Sequence, residues 1–147
     1  MKPKLTKKQR QLWTAVKKAI CKHPDQFDMD WWFSELLHFD NMAVLPAGRC
    51  GTAGCIGGWA VALGSHRSTK LSAVSNRNAG RFGAIELHAS RLLGIAGEAA
   101  RGRIFDANLW PAKFRKPYAK AALNKEGIKQ RVEAACDRID HFLKTGK

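Results

Sequence analysis

Acidic side chains are scarce in this chain. Twelve Asp+Glu stand against 26 Lys+Arg, which leaves a formal net charge of +14 over 147 residues. A self-neutralised surface is therefore excluded. The counterpart is a polyanion or an acidic partner, unless the charge serves only to keep the chain soluble. Long hydrophobic runs are absent too. No stretch of about 18 uncharged apolar residues exists, which excludes a membrane-spanning helix and predicts no membrane partner. The basic N-terminal residues Lys2, Lys4, Lys7, Lys8 and Arg10 have no apolar run behind them, so no secretory signal is expected. Four cysteines without such a signal suit a reducing cytoplasm. Alternating polar and apolar runs and Asn-Gly hairpin signals are missing, which argues against a β-sheet. The glycines at 51, 54, 57 and 58 are not followed by Lys-Ser or Lys-Thr, so no phosphate-cradling loop of the P-loop type is present. No serine elbow with triad partners is recognisable. These absences predict a non-catalytic protein without a cofactor.

What is present is an ordinary apolar fraction of 45% in a length suited to one domain. The charge is unevenly placed. Residues 1–22 carry a net +8 and residues 23–47 a net −5, through Asp25, Asp28, Asp30, Glu35 and Asp40. Residues 48–103 carry +6 and residues 104–147 carry +5. An acidic island thus lies in a basic frame, a pattern that suits two faces with different partners or an internal charge match.

Helical spacing dominates the chain. Thr6 caps a first helix running to about Lys22, with Leu12, Trp13, Val16, Ala19 and Ile20 on one side. His23-Pro24 ends it, because the residue before proline is pushed out of the α region. Asp28 or Asp30 caps a short helix through Trp31, Trp32, Phe33, Leu36 and Leu37. Thr52 caps an uncharged segment from about Ala53 to Leu63, expected to be the central buried helix. Its glycines cost about 1 kcal/mol each relative to alanine, and close packing is the natural compensation. Residues 64–81 read as a loop. Residues 84–93 are helical with Gly94 at the C-cap, and a short helix covers about 97–105. Pro111 opens another helix. Asn124 caps the last, whose stripe is Ile128, Val132, Ala135, Cys136, Ile139, Phe142 and Leu143. The fold class is all-α, a single compact domain of about six helices around a Gly/Ala-rich central one. Within residues 1–147 the basic N-terminal helix takes 1–22, a core 23–111, and basic C-terminal helices 112–147.

The stretch Cys50-Gly51-Thr52-Ala53-Gly54-Cys55-Ile56-Gly57-Gly58-Trp59-Ala60 resembles a family of small, uncharacterised bacterial and bacteriophage helical proteins with a C-G-T-x-x-C-[IL]-[AG]-G-[WH]-A core. His23-Pro24-Asp25-Gln26-Phe27-Asp28-Met29 is similar to the segment that family places before the core. Leu92-Leu93-Gly94-Ile95, Ile104-Phe105 and Trp110-Pro111 are similar to its segments after the core. The likeness covers about residues 20–111. It implies a fold and a phage or mobile-element setting rather than a chemistry. Gly57 departs from it, where alanine is common, and makes the core helix slimmer.

Chemistry-bearing constellations are few. Cys50 and Cys55 flank the start of the central helix, where a thiolate is favoured by unsatisfied amides. They read as a redox pair, half of a zinc site, or two small residues packing a tight turn; C-x4-C is not the usual zinc spacing. Cys21 and Cys136 stand alone in the sequence. His66 and His88 could complete a Cys2His2 set, but no paired spacing supports it. Asp25, Asp28 and Asp30 lack the glycine and terminal glutamate of a calcium loop, and no metal is expected.

Cationic residues form the stronger signal. Lys7, Lys8, Arg10, Lys17 and Lys18 lie on the first helix. Arg67, Lys70, Arg77 and Arg81 lie in the long loop. Residues 85–105 read as a helical hairpin, or loosely as a helix-turn-helix whose second helix offers Arg101 and Arg103. Lys113, Arg115, Lys116 and Lys120 are interleaved with Phe114 and Tyr118, rings that either stack on bases or pack the core. Five tryptophans mostly fill a core. Trp31 and Trp32 cannot both do so, and Trp31 is a candidate anchor for a protein contact. Two functions are expected from these features. The first is a basic module binding nucleic acid or a ribonucleoprotein through phosphate contacts. The alternative is an accessory inhibitor of a host protein machine, of the anti-defence or anti-CRISPR type, acting through protein–protein contacts. A thiol or zinc site at Cys50 and Cys55 is the third.

Overall fold

The computed structural model describes residues 3–27, 29, 55–64, 82–122 and 124–147. Among them are six α-helices and no strand. The helices are α1 (Lys7–Lys22), α2 (Ile56–Gly64), α3 (Phe82–Leu93), α4 (Glu98–Phe105), α5 (Ala112–Lys120) and α6 (Lys125–Thr145). Two 3₁₀ turns, Pro24–Gln26 and Ala107–Leu109, join them. The all-α expectation holds. No described helix is long and apolar enough to cross a membrane.

The start of α1 follows from four residues. Thr6 Oγ1 accepts from the Gln9 amide at 3.2 Å, and Gln9 Oε1 accepts from the Thr6 amide at 2.9 Å. This reciprocal capping box satisfies two amides that the first turn leaves without partners. At the other end His23 closes the helix and Pro24 opens a 3₁₀ turn.

α2 carries no charge and buries Ile56, Gly57, Gly58, Trp59, Ala60 and Val61 in succession, as a central helix must. It begins at Ile56, later than the expected Ala53. Cys55 stands at its cap, the Sγ accepting from the Gly58 amide at 3.4 Å. Asp28 and the segment 30–54, with the expected short helix through Trp31 and the Thr52 cap, lie outside the described residues, as do residues 65–81.

α2 and α3 pack as one pair and α5 and α6 as another, and α1 lies against α2, α3 and α6. α1 is thus the strut between the pairs. Trp13 carries much of that role. It is fully buried, its ring lies 5.5 Å from Phe142 on α6, and its Nε1 donates to the Leu93 carbonyl at 3.0 Å. Leu93 ends α3, and Gly94 follows with φ +72°, the left-handed conformation that lets a helix close. A Cβ on Gly94 would also lie 2.6 Å from the Gln9 side chain. Trp110 is anchored in the same manner, its Nε1 donating to the Ile104 carbonyl at 3.1 Å. Pro111 sits at the cap of α5, one residue earlier than expected, because α5 begins at Ala112.

α6 begins as its sequence predicts. Asn124 Oδ1 accepts from the Gly127 amide at 2.8 Å. Gly127 cannot be replaced, since a Cβ there would fall 1.8 Å from the Ala122 carbonyl oxygen. The stripe Val132, Ala135, Cys136, Ile139 and Phe142 is buried; Ile128 and Leu143 are half-buried. The stripe also contains a residue the apolar pattern omits. Arg138 is fully buried and forms no ion pair with a carboxylate side chain among the described residues. Its Nε and Nη2 donate to the Arg103 carbonyl at 3.2 and 2.9 Å, and its Nη1 to the Lys147 carbonyl at 2.9 Å. Arg103 lies in the last turn of α4, where helix carbonyls lack partners and the dipole favours a cation. Burial, with Arg103 nearby, pushes the guanidinium down to about 10, still charged at neutral pH.

The pairing of the cysteines corrects the sequence reading. Cys21 and Cys136 do not stand alone: their Sγ atoms lie 2.9 Å apart across the α1–α6 contact. They are 115 positions apart, and nothing local announces the encounter.

Candidate anion-binding interface

α5 is a nine-residue helix without an acid. Phe114 and Tyr118, one turn apart, point into the core and are buried, so the reading in which they stack on bases is corrected. Tyr118 packs edge-on against Trp110, with ring centroids 5.3 Å apart, and its hydroxyl accepts from the Met29 amide at 2.9 Å. With the aromatic face inward, Lys113, Arg115, Lys116 and Lys120 are exposed.

Two of these cations are held in place. Lys113 Nζ sits 4.7 Å over the Phe114 ring and 3.4 Å from His141 Nδ1. Arg115 Nη1 donates to the Asn108 carbonyl at 3.1 Å. Arg131 reaches the same region from α6, its guanidinium 5.1 Å over Tyr118. Arg115, Arg131, Asn108, Asp106 and Tyr118 help to line a cavity of 440 Å³. Asp106 is the acid in that lining, and its carboxylate already accepts from the Asn108 amide at 2.9 Å. Arg131 Nε is buried and has no hydrogen-bond acceptor among the described residues. A buried donor without a partner is costly; Arg115 and Arg131 together make the cavity wall cationic, which suits an oxygen anion.

The surroundings are electropositive. Desolvation, reinforced by Lys113, Arg138 and Lys144, holds His141 below the ordinary histidine value. The first turns of α1 and α5 contain no acid, although Lys7, Lys8 and Lys113 occupy them. Cations at a helix N-terminus oppose the dipole, each at a cost of about 0.3–1 kcal/mol when exposed. A local rule broken twice in the same sense points to a function rather than to stability.

The expected site residues divide into three groups. Lys7, Lys8, Arg10 and Lys18 on α1, Arg103 on α4, and Lys113, Arg115 and Lys116 on α5 are exposed. Lys17 and Arg101 differ, because their charges are already matched. Lys17 pairs with Asp140 at 2.6 Å, and Arg101 Nε with Glu86 at 3.1 Å across α3 and α4. The second pair occupies the helix that a helix-turn-helix reading would present to a duplex. Arg67, Lys70, Arg77, Arg81, Trp31 and Cys50 lie outside the described residues. Cys55 is buried at the head of α2, and no cluster of three or more metal-ligating side chains occurs among the described residues.

Arg131 was missed by sequence reasoning. Its signal was its position beside the α6 stripe, three residues after Ile128, which directs it along the core boundary rather than into solvent. Comparison with protein-family models, with curated proteins and with solved structures returns no match.

Proposed function

We propose that this chain is a non-catalytic basic module that binds nucleic acid or a ribonucleoprotein through phosphate contacts, in the cytoplasm and in a phage or mobile-element setting. The observation that carries this reading is the cavity lined by Arg115 and Arg131, beside a helix that contains no acid and exposes Lys113, Arg115, Lys116 and Lys120. A phosphate meets Arg115 and Arg131 at the cavity, and Lys113, Lys116 and Lys120 hold neighbouring phosphates. Contacts of this kind position a strand without reading its bases. Sequence preference is therefore weak, and affinity depends on salt.

The test is the binding of labelled single-stranded RNA, single-stranded DNA and duplex across a salt series. Log affinity for duplex should fall against log salt with a slope of about −0.9 per phosphate contact, and of about −0.7 for a single strand. Alanine at Arg115 and Arg131 together should weaken binding and flatten that slope. Absence of binding at low salt would overturn the reading. So would a lysate partner that survives nuclease and high salt unchanged, an outcome that favours the accessory inhibitor of a host protein machine. Replacing Arg67, Lys70, Arg77 and Arg81 with alanine asks whether the segment 65–81 shares in the binding.

A further inference from the structure

α1 and α6 run antiparallel in a defined register. Lys17 on α1 meets Asp140 on α6, and one turn further Cys21 meets Cys136. Residues 17 and 21 share a face of one helix, and 136 and 140 a face of the other. The ion pair and the thiol pair are therefore neighbouring rungs of one ladder. The Sγ atoms are 2.9 Å apart, inside van der Waals contact, while Cys21 is exposed and Cys136 is buried. An accessible thiol thus backs directly onto a shielded one.

We propose that Cys21 and Cys136 form a redox site, in which a low-molecular-weight disulfide converts the thiol pair into a disulfide that ties α1 to α6. Cys21 reacts first, since it alone of the two faces solvent. Its thiolate attacks one sulfur of the small disulfide, a bond to Cys21 forms, and one small thiolate leaves and takes up a proton. Cys136 then gives up its proton and attacks Cys21 Sγ. The Cys21–Cys136 bond forms, the mixed disulfide breaks, and the second small thiol leaves. Two protein thiols are oxidised and one small disulfide is reduced to two thiols, so atoms and electrons balance.

The division of labour follows from the surroundings. Burial and the adjacent Cys21 push the Cys136 thiol up, so it is a poor first nucleophile, while the Lys17 ammonium acts in the opposite sense. Once Cys21 carries a mixed disulfide, the second attack is intramolecular and over almost no distance, so weak nucleophilicity suffices. The bond would close a loop of more than a hundred residues, the kind for which a cross-link restricts the unfolded chain most.

The experiment treats the reduced full chain with mixtures of oxidised and reduced glutathione and follows intact mass and peptide maps. The expected product has lost two hydrogens, has a Cys21–Cys136 linked peptide, and carries no retained glutathione. Its Tm should rise by about 10 °C and return on reduction. Cys136→Ala should instead accumulate glutathione on Cys21, without a rise in Tm. Cys21→Ser, a change at an exposed position, should leave Cys136 unmodified. A stable glutathione adduct on Cys21 of the unaltered chain would overturn the proposal. So would a linkage of Cys21 to any other cysteine, or a Cys21 that does not react.

Discussion

α2 and α5 are both nine-residue helices, and they use their length in opposite ways. α2 has no charge and buries six consecutive residues, so every side of it meets the core. α5 has no acid and buries two side chains, Phe114 and Tyr118, leaving its cations in water. Removing one such large side chain from solvent is worth about 1.5–3 kcal/mol, so two aromatic rings suffice to hold a short helix. α2 gives all its sides to the core, whereas α5 is attached by an aromatic edge and leaves its cations exposed to solvent.

The largest expected effect lies in α2. Trp59→Ala should destabilise the chain by about 3–5 kcal/mol, read as a lowered denaturant midpoint, because a buried ring leaves a cavity. A loss below about 1 kcal/mol would break the contrast between α2 and α5. Next comes Arg138→Met on α6. It removes the donors to the Arg103 and Lys147 carbonyls and should cost about 1–3 kcal/mol. Arg138→Lys keeps a cation without the planar fork and should recover part of that loss.

Smaller still is the effect of replacing Lys113, Arg115, Lys116 and Lys120 with alanine. Each should change stability by less than about 0.5 kcal/mol, whereas the salt dependence of the proposed nucleic-acid binding should flatten. Loss of folding in that variant would show that α5 needs its cations for structure. The smallest effect is that of pH at His141. The folded chain favours its neutral form, so the unfolded chain binds more protons just below pH 6.5. Stability should therefore fall as pH drops through that window and recover above it. His141→Asn should flatten this limb in urea titrations at pH 5 to 7.

Much of the fold was legible because its signals are local. The Thr6 cap, the His23-Pro24 stop, the left-handed Gly94 and the Asn124 cap each act within a few residues, and each appears where its chemistry requires it. The apolar stripe of α6 was equally readable. Arg138 was not, because a helical pattern counts a charged residue as exposed unless something nonlocal satisfies it. Here the Arg103 carbonyl, 35 positions away, does so. The exposed cations of α1 and α5 were found by composition. Arg131 was not, since its role depends on the Tyr118 ring beneath it and on a cavity whose other lining residues come from several separate elements. Lys17 shows the converse. Its sequence context is like that of Lys18, but Asp140 takes up its charge, and this partner raises its pKa. With side chains 36% and 43% exposed, the pair adds little to stability, and what it adds is present below pH 10.5 and lost above it.

By itself the sequence determined the helical class, the capped ends of the first and last helices, the neutral character of the central helix and the size of the charge excess. These depend on propensity, capping and periodicity, which operate within a turn or two. Among the described residues, only the tertiary structure decided which cations are matched and which are exposed, which arginine donor lacks an acceptor, and that two cysteines 115 positions apart share a rung between α1 and α6. Those outcomes follow from the register in which helices dock. That register is set by the fit of Trp13, Phe142 and their neighbours across the core, and no short stretch of the chain contains it.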